Sequence, residues 1–464
     1  MVYLLIKIAG CKLQHLVKVQ VITVLFLSIS HHIFNMYKDI LFEWNPWWGK
    51  YTENSLERED TNKIYELLQL KEILFITGIR RSGKTTILYQ LISKLIDNKI
   101  NPMDILFIKV DDLRLKELTY KKIDEIIQEY KTLKETKSIT YIFLDEIQEL
   151  PDWEQYIKTI YDLNKDLKII ISGSNSGLLK KNINSYLTGR IISKEVYPFS
   201  FKEFLKYYQI NIINIKDIYI NKIPISKKYR DYIKTGGFPE VIKTKDNLKN
   251  EVLKNYFDTI LYRDITEKYK VRNTIELKDF LIFILSNNTR QVNYVDLAKE
   301  VGLSRDTISN YVSYLSECYL LFLINKYSYS YKSQIKSAKK IYPVDLGLIN
   351  AVSFKFSEDL GRAYENLVFI ELKRRNKEIY YYKNIKNQEC DFIIKQGLNI
   401  VEAIQVTYDL TKIKTKEREI NGLLSALDEF KLKEGIIITD NQEKEEIIDG
   451  KKIRYVPIIN WLLS

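Results

Sequence analysis

Ile73-Leu-Phe-Ile-Thr77 runs into Gly78-Ile79-Arg80-Arg81-Ser82-Gly83-Lys84-Thr85-Thr86, and Ile87-Leu-Tyr-Gln-Leu-Ile-Ser-Lys-Leu-Ile96 follows. An apolar strand-like run enters a glycine loop, and a helix-compatible run leaves it. The loop fits G-x-x-x-x-G-K-[ST], the phosphate-binding P-loop. Backbone N–H groups must turn inward to cradle phosphate oxygens, and Gly78 and Gly83 allow that path. The whole loop from Gly78 to Thr86 is therefore expected to wrap a nucleotide, ATP. Lys84 would meet the β- and γ-phosphates, and Thr85 would offer its hydroxyl to Mg²⁺. The positive end of the following helix adds to the anion site.

Working outward, Ile105–Val110, Tyr141–Leu144 and Lys168–Ile171 are continuous apolar runs separated by helical patterns. Such runs predict buried parallel strands of an α/β domain. Tyr141–Leu144 leads into Asp145-Glu146, at a strand end where α/β sheets bind ligands. Asp145 is expected to hold Mg²⁺ through its water shell, with Glu146 polarising the attacking water. Ser174 and Asn175 end the next strand and are candidates to sense the γ-phosphate. Asn164-Lys165-Asp166 lacks the spacer of a guanine-reading N-K-x-D motif, which argues against a GTPase.

The chain has 464 residues and a net charge of +12. That length suits about three domains, and the charge favours an anionic partner: nucleotide, nucleic acid or a membrane surface. The only histidines are His15, His31 and His32. A catalytic triad or a histidine-ligated zinc site is thereby excluded from the body of the protein. Cys11, Cys318 and Cys390 are scattered and odd in number, which fits a reducing cytoplasm and no disulfide framework. Residues 1–35 carry three lysines, no acid and a short apolar run, and are expected to be a non-native or poorly ordered extension without stable membrane insertion. The Trp-rich segment 36–60 should pack on the domain that follows, with Glu53 to Asp60 as solvated linker or helix start.

Further on, 292–301 and 305–315 form two helical patterns around Gly302, a helix-turn-helix with Leu297, Ile308, Val312 and Leu315 in its core. Its second helix would present Arg305, Thr307, Ser309 and Asn310 to a groove. Lys326-Tyr-Ser-Tyr-Ser-Tyr-Lys332 alternates, and 325–340 holds five lysines and no acid, as a β-wing along a phosphate backbone would. DNA or RNA is thus the expected partner of 292–340. The same pattern also suits a protein-docking module with a packed tyrosine face.

Gly78–Thr85, Ile142–Glu146, Ser172–Asn175, Leu187-Thr-Gly-Arg190, Glu195–Phe204 and Gly236-Gly-Phe-Pro239 stand in the order seen in archaeal and bacterial ATPases of the AAA+/STAND-like group. The resemblance extends over most of 37–464. It implies an arginine-finger role for Arg190, reaching its own site or a neighbour's in a homo-oligomer, and places Pro239 near the adenine. Residues 341–464 resemble the PD-(D/E)xK nuclease-like domain that follows such ATPases, with Glu365 and Asp391 at its acidic positions. The third element reads Gln405-x-Thr407, without the expected carboxylate and lysine.

The expected architecture is a P-loop ATPase domain over 61–248, a winged-helix-like domain over 249–340 and an α+β nuclease-like domain over 341–464. The expected function is Mg²⁺-dependent ATP hydrolysis driving a conformational change. An ATP-regulated nuclease and a nucleotide-switched protein scaffold are the alternatives.

Overall fold

A computed structural model describes residues 37–115, 119–134, 140–164, 166–175, 186–353 and 359–464. The expected N-terminal extension lies outside these residues. Three sheets organise the described chain. The first contains β1 (Ile73–Thr77), β2 (Ile105–Lys109), β3 (Tyr141–Asp145), β4 (Lys168–Gly173) and β5 (Ile191–Glu195), in the order β2-β3-β4-β1-β5. All four pairings are parallel. Ile, Leu and Phe fill β1, and every residue of it is buried. This matches its position between two strands with helices on both faces. The glycine loop leaves β1 beside β4, and α1 (Lys84–Asp97) follows with an apolar face buried from Ile87 to Leu95.

The tryptophan-rich segment packs as expected. Trp47 and Trp48 both donate through Nε1 to the carbonyl of Ile105, at 3.4 and 3.1 Å.

From Tyr197 onward the apolar side chains join a second core, shared with the helical region that follows. There α2 (Tyr294–Val301) and α3 (Arg305–Glu317) form the expected helix pair, turned by Gly302 at φ +73° and capped by Ser304. A small antiparallel sheet, β6 (Gln291–Val292), β7 (Leu321–Asn325) and β8 (Lys339–Pro343), closes this region in the order β6-β8-β7. The expected boundary between residues 340 and 341 therefore falls inside β8.

The free β-wing over 326–332 does not form. Tyr331–Lys336 is a short helix. The tyrosine before it is drawn to the last domain: the Tyr327 N–H donates to Tyr381 O at 2.8 Å, and its ring meets Tyr380 and Phe430 edge-on. Burying that ring holds 326–330 on the C-terminal sheet.

The third sheet is mixed: β9 (Glu378–Lys383), β10 (Glu389–Gln396), β11 (Asn399–Val406), β12 (Glu434–Thr439), β13 (Lys444–Ile448) and β14 (Lys451–Pro457), ordered β13-β14-β12-β11-β10-β9. Strand alternation sends Phe392, Ile404 and Ile438 to one core and Ile393, Ala403 and Ile437 to another. Helix α4 (Leu360–Arg374) covers the first face and α5 (Ile413–Glu429) the second.

Candidate functional site

The loop's backbone path depends on its glycines. Gly78 sits at φ +148°, and a Cβ there would lie 2.1 Å from the Val196 carbonyl oxygen. Gly83, at φ +97°, would place one 2.7 Å from a nitrogen of Arg58. Lys84 is 3% exposed. Its ammonium donates to the carbonyls of Gly78 and Ile79, each at 3.2 Å, and stands 3.7 Å from Glu146.

Thr85 Oγ1 donates to Asp145 Oδ2 at 2.8 Å. Ser172, at the end of β4, donates to the other Asp145 oxygen and accepts the Glu146 N–H at 3.0 Å. Gln148 donates to Glu146 at 2.6 Å. Glu146 holds φ +56°, a conformation that costs a non-glycine residue free energy and clusters at functional sites. Burial, and then the Glu146 charge, raise the Asp145 pKa. Burial also works on Glu146, but Lys84, Gln148, Arg80 and Arg263 outweigh it and hold that carboxyl below its ordinary value.

Arg58 was legible only as part of a charged linker, yet it is 6% exposed. Its guanidinium donates to the carbonyl of Ser82 within the loop (2.8 Å), to Tyr197 O (2.8 Å) and to Glu203 (2.7 Å). Three fixed donors on one planar group pin the loop to β5's exit. Glu203 also closes a capping box with Ser200.

Pro239 lies beside the loop, with its ring carbon 4.0 Å from where a Gly83 Cβ would stand. Arg81 lies 4.4 Å over the ring of Tyr256, which itself meets Phe238 edge-on. Arg80 forks onto Asp264, with contacts of 2.8 to 3.0 Å.

Arg190 is placed differently from Lys84. Its carbonyl accepts the N–H of Ile73 at the entry to β1. The loop leaves the other end of that strand, roughly 16 Å away at about 3.3 Å per residue. The Arg190 side chain pairs with Asp162 at 3.2 Å. The guanidinium thus sits at the strand end opposite its own chain's loop, on Asp162. Arg80 and Arg263 are the arginines whose charge reaches Glu146.

The C-terminal residues converge on a second cavity, about 580 Å³ in volume. Glu365 from α4 and Asp391 from β10 meet there. Between them, however, stands Lys340 of β8, 4% exposed. Its ammonium lies 2.9 Å from Glu365, 2.8 Å from Glu389 and 2.9 Å from Asp391. Lys340 is thus no surface lysine for a phosphate backbone. Gln405 accepts the Asp391 N–H at 3.2 Å and donates to Glu419 of α5, an acid the linear pattern did not single out. Glu402 lies apart, paired with Lys377. Among the described residues no group of three His, Cys, Asp or Glu side chains is arranged to hold a metal. Burial works against the Lys340 charge, but Asp391 and Glu365 overcome it and hold the lysine ionised. Burial raises Glu365, Lys340 opposes, and Asp391 adds to a net rise. In that cluster Glu365 is pushed toward its protonated form.

Strand order, glycine loop and acidic pair together define the class, an AAA-domain P-loop ATPase. Residues 70–205 match the family described as AAA domain, 226–359 match a domain of unknown function, DUF8612, and 360–461 match another, DUF4143. The chain is 38% identical over 411 residues to Uncharacterized protein MJ1544 of Methanocaldococcus jannaschii, covering 85% of this chain and 88% of that one. It is 30% identical over 413 residues to an uncharacterised protein of Haemophilus influenzae, covering 87% and 98%. The chain belongs to the same family as these relatives. Among solved structures, a signal transduction ATPase with numerous domains from Pyrococcus horikoshii is matched over 69% of this chain and 46% of that one, at 11% identity and a TM-score of 0.28. Cdc6p from Pyrobaculum aerophilum is matched over 66% and 95%, at 12% and 0.28. No helix among the described residues is long and apolar enough to cross a membrane.

Proposed function

We propose that the chain binds ATP with Mg²⁺ at the loop Gly78–Thr86, hydrolyses it, and uses the cycle to move the helical and C-terminal regions against the AAA domain. The observation that carries this is the contact of Thr85 with Asp145 at 2.8 Å, next to the contact of Lys84 with Glu146 at 3.7 Å. A hydroxyl and a buried carboxylate are the hard oxygen donors Mg²⁺ takes, so the residues fit that ion. Bound there, Mg²⁺ neutralises charge on the phosphate oxygens.

The rest falls to the protein. Lys84 would exchange the carbonyls of Gly78 and Ile79 for phosphate oxygens. The inward N–H groups of the loop and the start of α1 bind the remainder. Glu146, held ionised by Lys84 and Gln148, is the group placed to orient and deprotonate a water. Arg81, Tyr256 and Pro239 supply a cationic and apolar flank suited to the base and sugar. Arg190 would serve a neighbouring copy.

ATP binding by calorimetry and turnover by phosphate release test this reading. Lys84→Ala should abolish binding, and Glu146→Gln should keep ATP bound while stopping hydrolysis. Unchanged affinity in the first variant would sink the assignment of the loop. Turnover equal to wild type in the second would remove Glu146 as the base. Repeating turnover with DNA, RNA and cell extract names the partner class through stimulation.

A further inference from the structure

Three points around the phosphate loop reach into the helical region, and they converge on one place. From the loop itself, Arg80 forks onto Asp264, with both side chains at most 15% exposed. From the end of β1, Thr77 Oγ1 donates to the Tyr319 hydroxyl at 2.7 Å. From just past β4, the Asn175 amide donates to the Tyr269 hydroxyl at 3.2 Å and to the Cys318 sulfur at 3.6 Å.

The receiving residues are themselves joined. Asp264 belongs to a π-helical stretch, Ile260–Glu267. Its carbonyl accepts the Cys318 thiol at 3.3 Å. Cys318 caps the C-terminal end of α3, and Glu317 before it accepts the Tyr269 hydroxyl at 2.5 Å. Tyr269 stacks on Tyr314 of the same helix, with centroids 4.0 Å apart. A π-helical turn is a rare form that recurs at functional sites. Here it carries the carboxylate that holds Arg80.

We infer that Arg80 is a switch residue, paired with Asp264 or with the terminal phosphates of a bound nucleoside triphosphate, and that losing Asp264 releases the end of α3. This rests on the triphosphate-binding reading of the loop. A guanidinium fork matches carboxylate and phosphate equally well. A triphosphate over Gly78–Thr85 brings several negative charges next to Arg80 and repels Asp264. The two anions compete for one cation, so nucleotide affinity and the Arg80–Asp264 pair are linked reciprocally. The released segment is joined to α3 through Cys318 and Tyr269, and the exposed outer face of that helix carries Arg305, Ser309 and Asn310. Nucleotide occupancy would thereby set the order and position of that face.

The two sides of the pair give opposite signs, which separates a switch from plain structural support. Asp264→Asn should bind ATP at least fivefold more tightly than wild type, and Arg80→Gln at least fivefold more weakly. Hydrogen exchange over 305–319 should rise in wild type on adding a non-hydrolysable triphosphate. In both variants it should already be raised without nucleotide, with circular dichroism confirming that each is folded. Weaker or equal binding by Asp264→Asn, or exchange over 305–319 indifferent to nucleotide in wild type, would overturn the switch. If Lys84→Ala also binds like wild type, the fault lies with the loop assignment. If Lys84→Ala loses binding as expected, only the switch fails.

Discussion

The ammonium of Lys340, on β8 of the small middle sheet, lies 2.9 Å from Asp391 Oδ1, on β10 of the C-terminal sheet. A side chain of one region thus supplies the charge that a cavity of the next requires. Removing one partner of a buried ionic cluster typically costs about 3–5 kcal/mol, because the others are left charged and dry. Lys340→Ala should lose stability on that scale in urea denaturation. Lys332→Ala, on the exposed helix nearby, should stay within about 0.5 kcal/mol of wild type.

Arg58→Ala should weaken both the fold and the nucleotide site. Glu203, 3% exposed, would lose its cation, and the Ser82 carbonyl would lose its donor. A loss of about 3 kcal/mol or more is expected in denaturation, with ATP affinity falling as well. Arg58→Lys should restore little, since an ammonium cannot reach all three acceptors in their plane.

Arg190→Ala should turn over ATP within a factor of about three of wild type, under about 1 kcal/mol of barrier, when assayed at dilutions where the chain is monomeric. Its position at the entry end of β1 requires this. A mixture of Arg190→Ala with Lys84→Ala chains at high concentration recovers activity only if the arginine reaches a neighbour's loop. A large loss for Arg190→Ala in the dilute monomer would contradict the placement beside Asp162.

Asp345 gives a pH test. Its carboxylate accepts the N–H groups of Gly237 (2.7 Å), Gly347 (2.8 Å) and Leu348 (3.3 Å). Burial nevertheless pushes its pKa up to about 6, with those three N–H groups opposing. A carboxyl raised in the folded state contributes stability that is fully present below its unfolded pKa and lost as pH rises through about 6. Relative to Asp345→Asn, wild type should lose up to about 3 kcal/mol between pH 4 and pH 7. Parallel denaturation curves for the two proteins across that range would contradict it.

The phosphate site was largely readable because its signals are local. Strand, loop and helix are contiguous from Ile73 to Ile96, and Asp145-Glu146 ends its own apolar run. Glu365, Asp391 and Gln405 were singled out by the resemblance to a nuclease-like domain, and the fold brings them to one cavity. What escaped depends on partners far along the chain. Arg58 meets Glu203 across 145 residues, and Arg80 meets Asp264 across 184. In a linear pattern such residues look like ordinary solvated charges. The lysine-rich stretch 325–340 misled for the same reason. Its lysines look alike in sequence, but β8 pairing turns Lys340 inward, and Tyr327 finds an apolar seat on the last sheet.

The order of synthesis gives the Lys340 cluster a direction. The lysine leaves the ribosome 25 residues ahead of Glu365 and 51 ahead of Asp391. A flexible ammonium can wait in water at little cost on an already formed β-strand. Three carboxylates closing a cavity without it would have to bury uncompensated charge. The nascent middle sheet would therefore offer a template on which the last domain closes. A chain released before α4 would expose a lysine rather than trap an acid.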